Sequence, residues 1–345
     1  MSDTNPAAAK QPAALDPTTD LRHRPPHRST YVSTTKPLIV TPTFVSRVDT
    51  TPKAARPMDS GFGLDVNGHA MTEPAASPVP PAIESDPNLA FEHWDEYWRK
   101  VHGPKFAYEE PGGSTELVLR YDQLHRLPGG PSSSYRPPYQ AMTQADGKLV
   151  DDAYARVPPY RRPTWDGLAY IAYGSDADMK KLLGQDKYTK RVVADEQTAF
   201  RMVTRNVAKE YVLIASPDHR DAISLVKIHR RHASLTLDAF QHRWLNDHAA
   251  LVLAKPATHQ YVKRYAQLHY TSSTQADPAG MLMDGITLMA FASVNDVEDY
   301  LTHADYRAIE ADESAITDAG LSEFWTAVNY SVINRLWPER TTVRE

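Results

Sequence analysis

The sequence predicts an α+β fold of two tandem ferredoxin-like modules, each with the order β-α-β-β-α-β, behind a proline-rich N-terminal leader. Two observations carry this prediction. Helix-like and strand-like apolar periodicities alternate in the same order twice along the chain. Four short motifs also recur in both halves in the same order. The expected bounds are 1–86 for the leader, 87–215 for the first module and 220–337 for the second.

The leader is set apart by its composition. Residues 1–86 hold 13 of the 27 prolines of the 345-residue chain. Because proline fixes φ and lacks an amide donor, we expect the leader to be extended or disordered, or to form an arm around the body or a partner subunit. One segment differs: residues 37–46 are rich in β-branched side chains, with prolines suited to an edge strand. This segment is a candidate for the opening strand that the first module otherwise lacks.

In the first module, Asp86 caps a helix with Pro87 at its first position, and Gly103-Pro104 is expected to end it. Two strands, a polar amphipathic helix and a closing strand follow, at residues 116–125, 166–173, 176–200 and 206–214. A loop of about 39 residues, 126–164, separates the two strands. Since loops of this length are usually functional or disordered, we expect a lid over the first module's pocket or an oligomer contact.

The second module repeats the same order with a shorter loop. Thr236 caps its first helix, which carries an apolar stripe at helical spacing. The remaining elements are strands at 222–230, 259–270, 284–291 and 325–333, and a helix at 295–317. Each module would have one sheet face covered by helices and one bare face, which must be buried against a second sheet.

Four pairs of motifs support the internal repeat. Segments 120–125 and 264–269 agree at five of six positions, as Arg-Tyr-x-Gln-Leu-His. The other three pairs are Trp98-x-x-x-His102 with Trp244-x-x-x-His248, Asp166-Gly167 with Asp284-Gly285, and Ala194-Asp195-Glu196 with Ala311-Asp312-Glu313. Four matches in register are far less expected by chance than one.

These motifs resemble the EthD family, within the dimeric α/β-barrel group. In the second module the resemblance rests on Val226-Lys-Ile-His-Arg-Arg231, Phe240-x-x-x-Trp244-x-x-x-His248, Arg264-Tyr265-x-Gln267-x-His269 and Asp284-Gly285. It implies that two modules pair face to face around a pocket, either the two copies of this chain with each other or each with a copy in another chain. The group includes cofactor-free oxygenases, lactone isomerases, cyclases, decarboxylases and heme proteins, so the fold does not name a reaction.

Histidine and tyrosine side chains are the candidates for catalysis. His102 and His248 each follow a Trp by one helical turn, and each is either a general acid or base or a cap that stabilises the helix end. Two pairs lie four residues apart on one strand face, Tyr121 with His125 and Tyr265 with His269. Each pair is suited either to proton transfer at a phenolic or enolic substrate or to ordinary packing.

Other residues in the motifs have their own expected roles. Aromatic side chains on the first helices are candidates for substrate binding: Trp94, Trp98, Phe240 and Trp244. Asp166 and Asp284, each before a glycine, fit a turn. Arg120 and Arg264 point away from the neighbouring tyrosines, so we expect them to pair with acidic residues of the helices.

Together these observations suggest an enzyme without an organic cofactor or a metal, acting by proton transfer on an aromatic, phenolic or polyketide-like compound as an isomerase, lyase or cyclase. The alternatives are a binding or accessory protein for a hydrophobic or aromatic small molecule, and a heme protein with His102 or His248 as ligand. The net charge of −5 gives no sign of nucleic-acid binding, and no apolar run is long enough for a membrane span. Without cysteines or a signal peptide, we expect a cytoplasmic protein, as a monomer or a homo-oligomer.

Overall fold

The computed structural model describes residues 31–46, 91–107, 114–133, 136–137, 163–200, 202–218, 221–275 and 282–343. Three expectations lie outside these residues: the structure of most of the leader, the start of the first helix at Asp86, and most of the loop 126–164. None of the helices in these ranges is long and apolar enough to cross a membrane.

One antiparallel sheet closes into a barrel. Its strands in the described ranges are β1 (Leu38–Ser46), β2 (Val118–Arg126), β3 (Gly167–Tyr173), β4 (Met202–Arg205), β5 (Ala208–Ile214), β6 (Ile223–His229), β7 (Arg264–Gln275), β8 (Leu282–Phe291) and β9 (Glu323–Asn334). The order β3-β2-β9-β6-β8-β7-β5-β1 returns to β3, because β1 also pairs with β3. Eight strands therefore form a closed ring, and the short β4 pairs with β1 beside it.

Each half of the barrel has the strand order of a ferredoxin-like sheet. The first half runs β5-β1-β3-β2 and the second runs β9-β6-β8-β7. The strand expected within residues 37–46 is confirmed, because β1 pairs with β3 from Ile39 opposite Tyr173 to Val45 opposite Gly167. The halves join at two seams, where β2 pairs with β9 and β5 pairs with β7.

Helices cover the outer face of the barrel. They are α1 (Phe91–Tyr97), α2 (Gly103–Ala107), α3 (Asp176–Leu183), α4 (Asp186–Tyr188), α5 (Ala194–Ala199), α6 (Leu237–Arg243), α7 (Ala249–Leu253), α8 (Pro256–Tyr261), α9 (Val294–Thr302) and α10 (Ala304–Ser314). A π-helical turn joins α1 to α2 over Trp98–His102, and another joins α6 to α7 over Trp244–His248. The first helix of each half thus widens at the same Trp-to-His segment.

Four predicted elements differ from those in the structure. Gly103-Pro104 does not end the first helix, because the wider turn lets the Gly103 amide bond to the Trp98 carbonyl and the chain continues helically to Ala107. The strand expected from residue 259 begins at Arg264, since Pro256 starts another short helix. The helices expected over 176–200 and 295–317 are each broken, at Gly184 and at His303.

Apolar side chains fill the inside of the barrel. Phe44 lies between two tryptophans, with ring centroids 5.7 Å from Trp165 and 6.4 Å from Trp325. Leucine, isoleucine, valine and alanine side chains from both halves complete this core. The interior is therefore a packed core joining the two sheets rather than the substrate pocket that the family resemblance implied. A small polar cavity beside Arg120 and Arg264 has room for roughly one water-sized particle.

One arrangement fastens the first helix to the sheet in each half. In the second half, the Trp244 ring stacks on His269 at 4.5 Å between ring centroids and lies over Gly285. Gln267 Nε2 donates to the Trp244 carbonyl at 3.1 Å and to the Tyr265 hydroxyl at 2.7 Å. The first half has the same contacts, made by Trp98, Tyr121, Gln123, His125 and Gly167. We call each arrangement a Trp clasp.

The Trp clasp needs a residue without a side chain on the strand beneath the indole. A Cβ placed on Gly285 would lie 2.5 Å from Trp244 Cζ3 and 2.9 Å from the Leu268 carbonyl oxygen. Neither neighbour is the free end of a flexible chain, so Gly285→Ala would displace the helix or the strand. We expect a loss of about 1–3 kcal/mol in the free energy of unfolding, measured by chemical denaturation.

Gly129→Ala is the matched control, because nothing lies within 4 Å of a Cβ at Gly129. Its free energy of unfolding should stay close to that of the wild type. Equal stability of the Gly285→Ala and Gly129→Ala variants would show that the clasp does not constrain this position.

Candidate functional site

The two helix histidines connect helices to each other. His102 Nδ1 lies 2.8 Å from Asp195 Oδ2, and His248 Nδ1 lies 2.8 Å from Asp312 Oδ2. Both imidazoles are buried. The Trp-to-His and Ala-Asp-Glu motifs of the repeat therefore contact each other in both halves, which suits a structural tie between the helices. Catalysis by His102 or His248 stays a prediction.

The tyrosine and histidine pairs lie within the two Trp clasps. Burial raises the pKa of Tyr121 and of Tyr265 above the usual range, and both hydroxyls accept a hydrogen bond from glutamine. Burial also lowers the pKa of His269 to about 3. Burial lowers the pKa of His125 too, although Asp95, 2.6 Å from its Nδ1, opposes the shift. All four side chains are buried in the clasps and do not line the cleft described below, and the catalytic assignment stays a prediction.

The proposed substrate-binding aromatics are also inside the protein. Trp94, Trp98, Phe240 and Trp244 have no exposed surface. Trp94 packs on Trp98 with ring centroids 5.2 Å apart, and Phe240 stacks on Trp244 at 5.3 Å. The structure places all four in the packing between helices and sheet, so substrate contact by these rings stays a prediction.

The prediction for the two arginines is wrong. Arg120 and Arg264 point into the barrel, where they pair with Asp122 and Glu210 of strands and with Asp221 and Glu339 of connecting segments. They do not reach helix acids because the helices cover the opposite face of the sheet. Asp166 and Asp284 instead bind arginines on the neighbouring strand or turn: Arg126 for Asp166, and Arg230 and Arg231 for Asp284.

A solvent-open cleft lies in the second half, between the end of β6 and α10. About 130 Å³ of the cleft is accessible to water-sized particles. Its lining is largely polar: Ser133, Arg136, Lys227, His229, Glu310, Glu313, Ser314, Thr317, Ser322 and Glu323, with Phe324, Ile228 and Ala319. In the cleft, buried ionisable groups lie next to space that is open to solvent. The clasps have no such opening in the described residues.

An ion pair forms part of the cleft wall. Lys227 Nζ donates to Glu313 Oε2 and, at 3.2 Å, to the Tyr306 hydroxyl. Burial alone would lower the pKa of Lys227, but the Glu313 carboxylate outweighs it and raises the pKa above the usual range. Burial would raise the pKa of Glu313, and Lys227 lowers it to about 2. At neutral pH the cleft therefore contains a buried ammonium and a partly exposed carboxylate.

His229 lies beside this pair on the same face of β6. Its Nε2 is 2.8 Å from Thr287 Oγ1, and in the part of the chain that the structure describes Nδ1 has no hydrogen-bond partner. Burial lowers the pKa of His229 to about 3, although the charge of Glu313 opposes the shift. The imidazole is thus neutral at pH 7. His248 extends the group, because its Nε2 lies 3.9 Å from Glu313 Oε2.

The long loop of the first half reaches this cleft. Ser133 Oγ accepts a hydrogen bond from the Phe324 amide at 2.6 Å. The Arg136 guanidinium pairs with Glu310 and lies 4.8 Å from the centroid of the Phe324 ring. Ser133 and Arg136 of the loop therefore form part of the wall of the second half's cleft, and the expected lid or oligomer contact stays a prediction.

The first half has no counterpart of the charged strand. Thr43 and Val45 face Ala169 and Gly167 across β1 and β3, in the register in which Lys227 and His229 face Thr287 and Gly285. Glu196, the counterpart of Glu313 in the Ala-Asp-Glu motif, pairs with Arg205 of β4. The two halves share their clasps and differ at the cleft.

Heme and metal sites find little support in these residues. His102 and His248 each have one ring nitrogen on a carboxylate, and neither lines the cleft or the barrel cavity. Heme binding through either histidine stays a prediction. In the described ranges, no group of three or more His, Asp or Glu side chains is arranged to hold a metal ion.

Lys227, His229 and Glu313 were not among the predicted site residues, although the sequence contained a signal for them. Lys227 and His229 alternate with the core residues Val226 and Ile228, so they share one face of a strand. Lysine is rarely buried without a partner, and its place on a central strand favours a buried counter-ion. Only the fold shows that this partner is Glu313.

Comparison with known families gives a match within the second half. The family model of the EthD domain matches residues 232–320. These residues form an EthD domain. The match includes α10, and so the part of the cleft that carries Glu310 and Glu313.

Solved structures match the chain at low sequence identity and with TM-scores below 0.5. A candidate monooxygenase from Lactobacillus acidophilus is 8% identical with a TM-score of 0.40, covering 87% of this chain and 97% of its own. An anthrone oxidase-like protein is 10% identical with a TM-score of 0.44, covering 87% and 95%. A dimeric Bacteroides fragilis protein of unknown function and ferredoxin-like fold is 13% identical, with a TM-score of 0.22 and coverage of 32% and 96%. Curated proteins give no significant match to the chain.

The low pKa values of His229 and His269 predict acid sensitivity. An unfolded histidine titrates near pH 6.5, whereas these two titrate near pH 3 in the folded protein. Between these values the unfolded state binds more protons than the folded state. The contribution of the two histidines to the free energy of unfolding is therefore fully present above pH 6.5 and decreases as the pH falls towards 3. Each histidine contributes a slope of about 1.4 kcal/mol per pH unit.

The measurement is urea unfolding between pH 7.5 and 4.5. His269→Gln should give a shallower decline than the wild type, whatever its stability at pH 7.5. The exposed His259 provides the control, and His259→Gln should keep the wild-type slope. Parallel curves for all three proteins would show that His269 is protonated equally in the folded and unfolded states.

Proposed function

We propose that this protein is a small-molecule enzyme whose active site is the cleft beside Lys227, His229 and Glu313. The supporting observation is a buried ammonium paired with a carboxylate, next to a neutral imidazole in a solvent-open cleft. Ionisable groups with strongly shifted pKa values in a cleft are a common property of catalytic sites. The EthD domain match includes the helix that carries Glu313.

The proposed chemistry is proton transfer at an enolic or phenolic group. The Glu313 carboxylate accepts a proton from the substrate, while the Lys227 ammonium stabilises the negative charge that develops on the adjacent oxygen. His229, neutral at pH 7, offers Nδ1 for a hydrogen bond to the substrate. An isomerase, a lyase or a cyclase would each begin with this step, on an aromatic, phenolic or polyketide-like compound.

Within this proposal, His248 is a positioning residue. It lies between Asp312 and Glu313, with Nδ1 2.8 Å from the first carboxylate and Nε2 3.9 Å from the second. His248 therefore helps to fix the orientation of the Glu313 carboxylate without contacting the substrate. Phe324, held under Arg136, offers an apolar wall for the ring of the substrate.

The second candidate function is binding without turnover. Lys227 and Glu313 neutralise each other in the protein as it stands, which lowers the reactivity of both groups. An accessory protein that holds a polar aromatic compound would need only the polar cleft. Binding without proton exchange would favour this function over the enzyme.

The test is hydrogen–deuterium exchange of candidate substrates in D₂O, followed by proton NMR on a panel of enolisable phenolic ketones and hydroxylated aromatic acids. The wild type should accelerate exchange at one carbon of at least one compound. Glu313→Gln and Lys227→Met should each reduce the rate by about 10²-fold or more, because each removes a group that acts in the transition state.

The matched control is Glu196→Gln, the same substitution at the corresponding motif position of the first half. Glu196 lies outside the cleft and pairs with Arg205, so the exchange rate should stay at the wild-type level. Equal rates for Glu313→Gln and the wild type would reject Glu313 as the base. Loss of activity in both variants would point to a general effect on folding.

We also infer that the two halves arose by duplication of one module. The motifs of both clasps, the strand orders and the helix ties correspond position by position. The first module then includes residues 38–46 in addition to 87–215, and the second covers 220–337. The charged strand β6 distinguishes the second copy as the one proposed to be active.

A further inference from the structure

Six charged side chains meet inside the barrel, between the two sheets: Arg120, Asp122, Glu210, Asp221, Arg264 and Glu339. Arg120 binds Asp122 Oδ2 and Asp221 Oδ2, each at 2.5 Å, and lies 3.5 Å from Glu339 Oε1. Arg264 binds Glu210 at 2.7 Å and Glu339 at 2.9 Å. The Tyr170 hydroxyl adds a donor to Glu210 at 2.6 Å. We call these six residues the barrel network.

Negative charge exceeds positive charge in the barrel network. Four carboxylates face two guanidinium groups, and the side chains are at most 8% exposed. An uncompensated charge in a low-dielectric interior costs several kcal/mol per ion. A proton or a bound cation would reduce this cost.

Acceptor oxygens without donors mark where a cation would lie. Asp122 is 2% exposed, and its Oδ1 has no hydrogen-bond partner. Asn329 Oδ1 is also buried and unpartnered, while its Nδ2 lies 3.4 Å from Asp122 Oδ2. Both residues line the same small cavity, together with the buried Ser224. The cavity has room for roughly one water-sized particle.

We propose that this cavity binds one alkali-metal cation through Asp122 Oδ1, Asn329 Oδ1 and Ser224 Oγ. Carboxylate, amide and hydroxyl oxygens suit hard cations. The three ligands include a single carboxylate, and the described residues hold no cluster of three acidic or histidine side chains, which favours a monovalent ion over a divalent one. The ion reduces the negative charge of the barrel network.

The position of the three ligands gives the cation a structural role. Asp122 lies on β2 of the first half, whereas Asn329 and Ser224 lie on β9 and β6 of the second. Asp122 pairs with Ser331 across the seam between β2 and β9. A cation held by all three side chains connects the two halves where their sheets join, so its binding stabilises the closed barrel.

The test is thermal unfolding of the full chain at pH 7.5 in sodium chloride, potassium chloride or N-methylglucamine chloride at equal ionic strength. The large organic cation does not fit the cavity. We expect the melting temperature to be about 2–4 °C higher in sodium or potassium, with saturation as the concentration rises. Equal melting temperatures of the wild type in all three salts would overturn the proposal.

Variants locate the effect. Asn329→Ala removes a ligand without touching an ion pair and should abolish the difference between salts, as should Asp122→Asn. Asp299→Asn removes an exposed carboxylate on α9, so this variant should show the same difference in melting temperature between salts as the wild type. If Asn329→Ala retains the wild-type salt response, the cation binds elsewhere and the proposed site is rejected.

A proton is the rival explanation for the neutralised charge, and pH separates the two. A proton shared by the carboxylates would make the wild type more stable as the pH falls towards their pKa values, equally in all salts. Because Asp122→Asn also weakens the ion pair with Arg120, ²³Na NMR line broadening of the wild type gives a direct second measurement. Broadening that potassium reverses supports the site, and its absence contradicts it.

Discussion

The structure depends on closing one sheet into a ring. Each half alone would expose two strand edges and one bare sheet face, both costly in water. Pairing β2 with β9 and β5 with β7 satisfies all four edges, and the same step buries both bare faces against each other. Phe44, Trp165 and Trp325 pack in the interior that this closure creates. The barrel network joins the halves in the same space, with Glu339 between Arg120 and Arg264.

Closure also decides where chemistry can occur. A filled interior leaves the outer face of the sheet, beneath the helices, as the place for a site. On this face the repeated motifs form clasps and ties, which hold helices to strands in both halves. Only in the second half does the opening strand carry Lys227 and His229 on the helix side, where Glu313 can pair with the lysine. The repeated residues thus maintain the fold, and a residue pattern that is not repeated distinguishes the cleft.

The two halves complete each other at the cleft. Strand β9 of the second half pairs with β2 of the first, which brings the loop after β2 beside Phe324. Ser133 and Arg136 then line a cleft whose floor belongs to the other half. A substrate in the cleft would contact residues from both halves, although the EthD domain match covers only part of the second.

The sequence alone determined the order of elements, the recurrence of four short motifs and the resemblance to the EthD family, because local periodicity and motif spacing are properties of neighbouring residues. It also placed a strand at residues 37–46 from β-branched content. It did not determine the roles of the motif residues. Tyr265 and His269 share a strand face in any fold, but only the packing of Trp244 and Gly285 shows that this face is buried. Likewise, Lys227 and Glu313 are 86 residues apart, and only the tertiary structure brings a buried ammonium to its carboxylate.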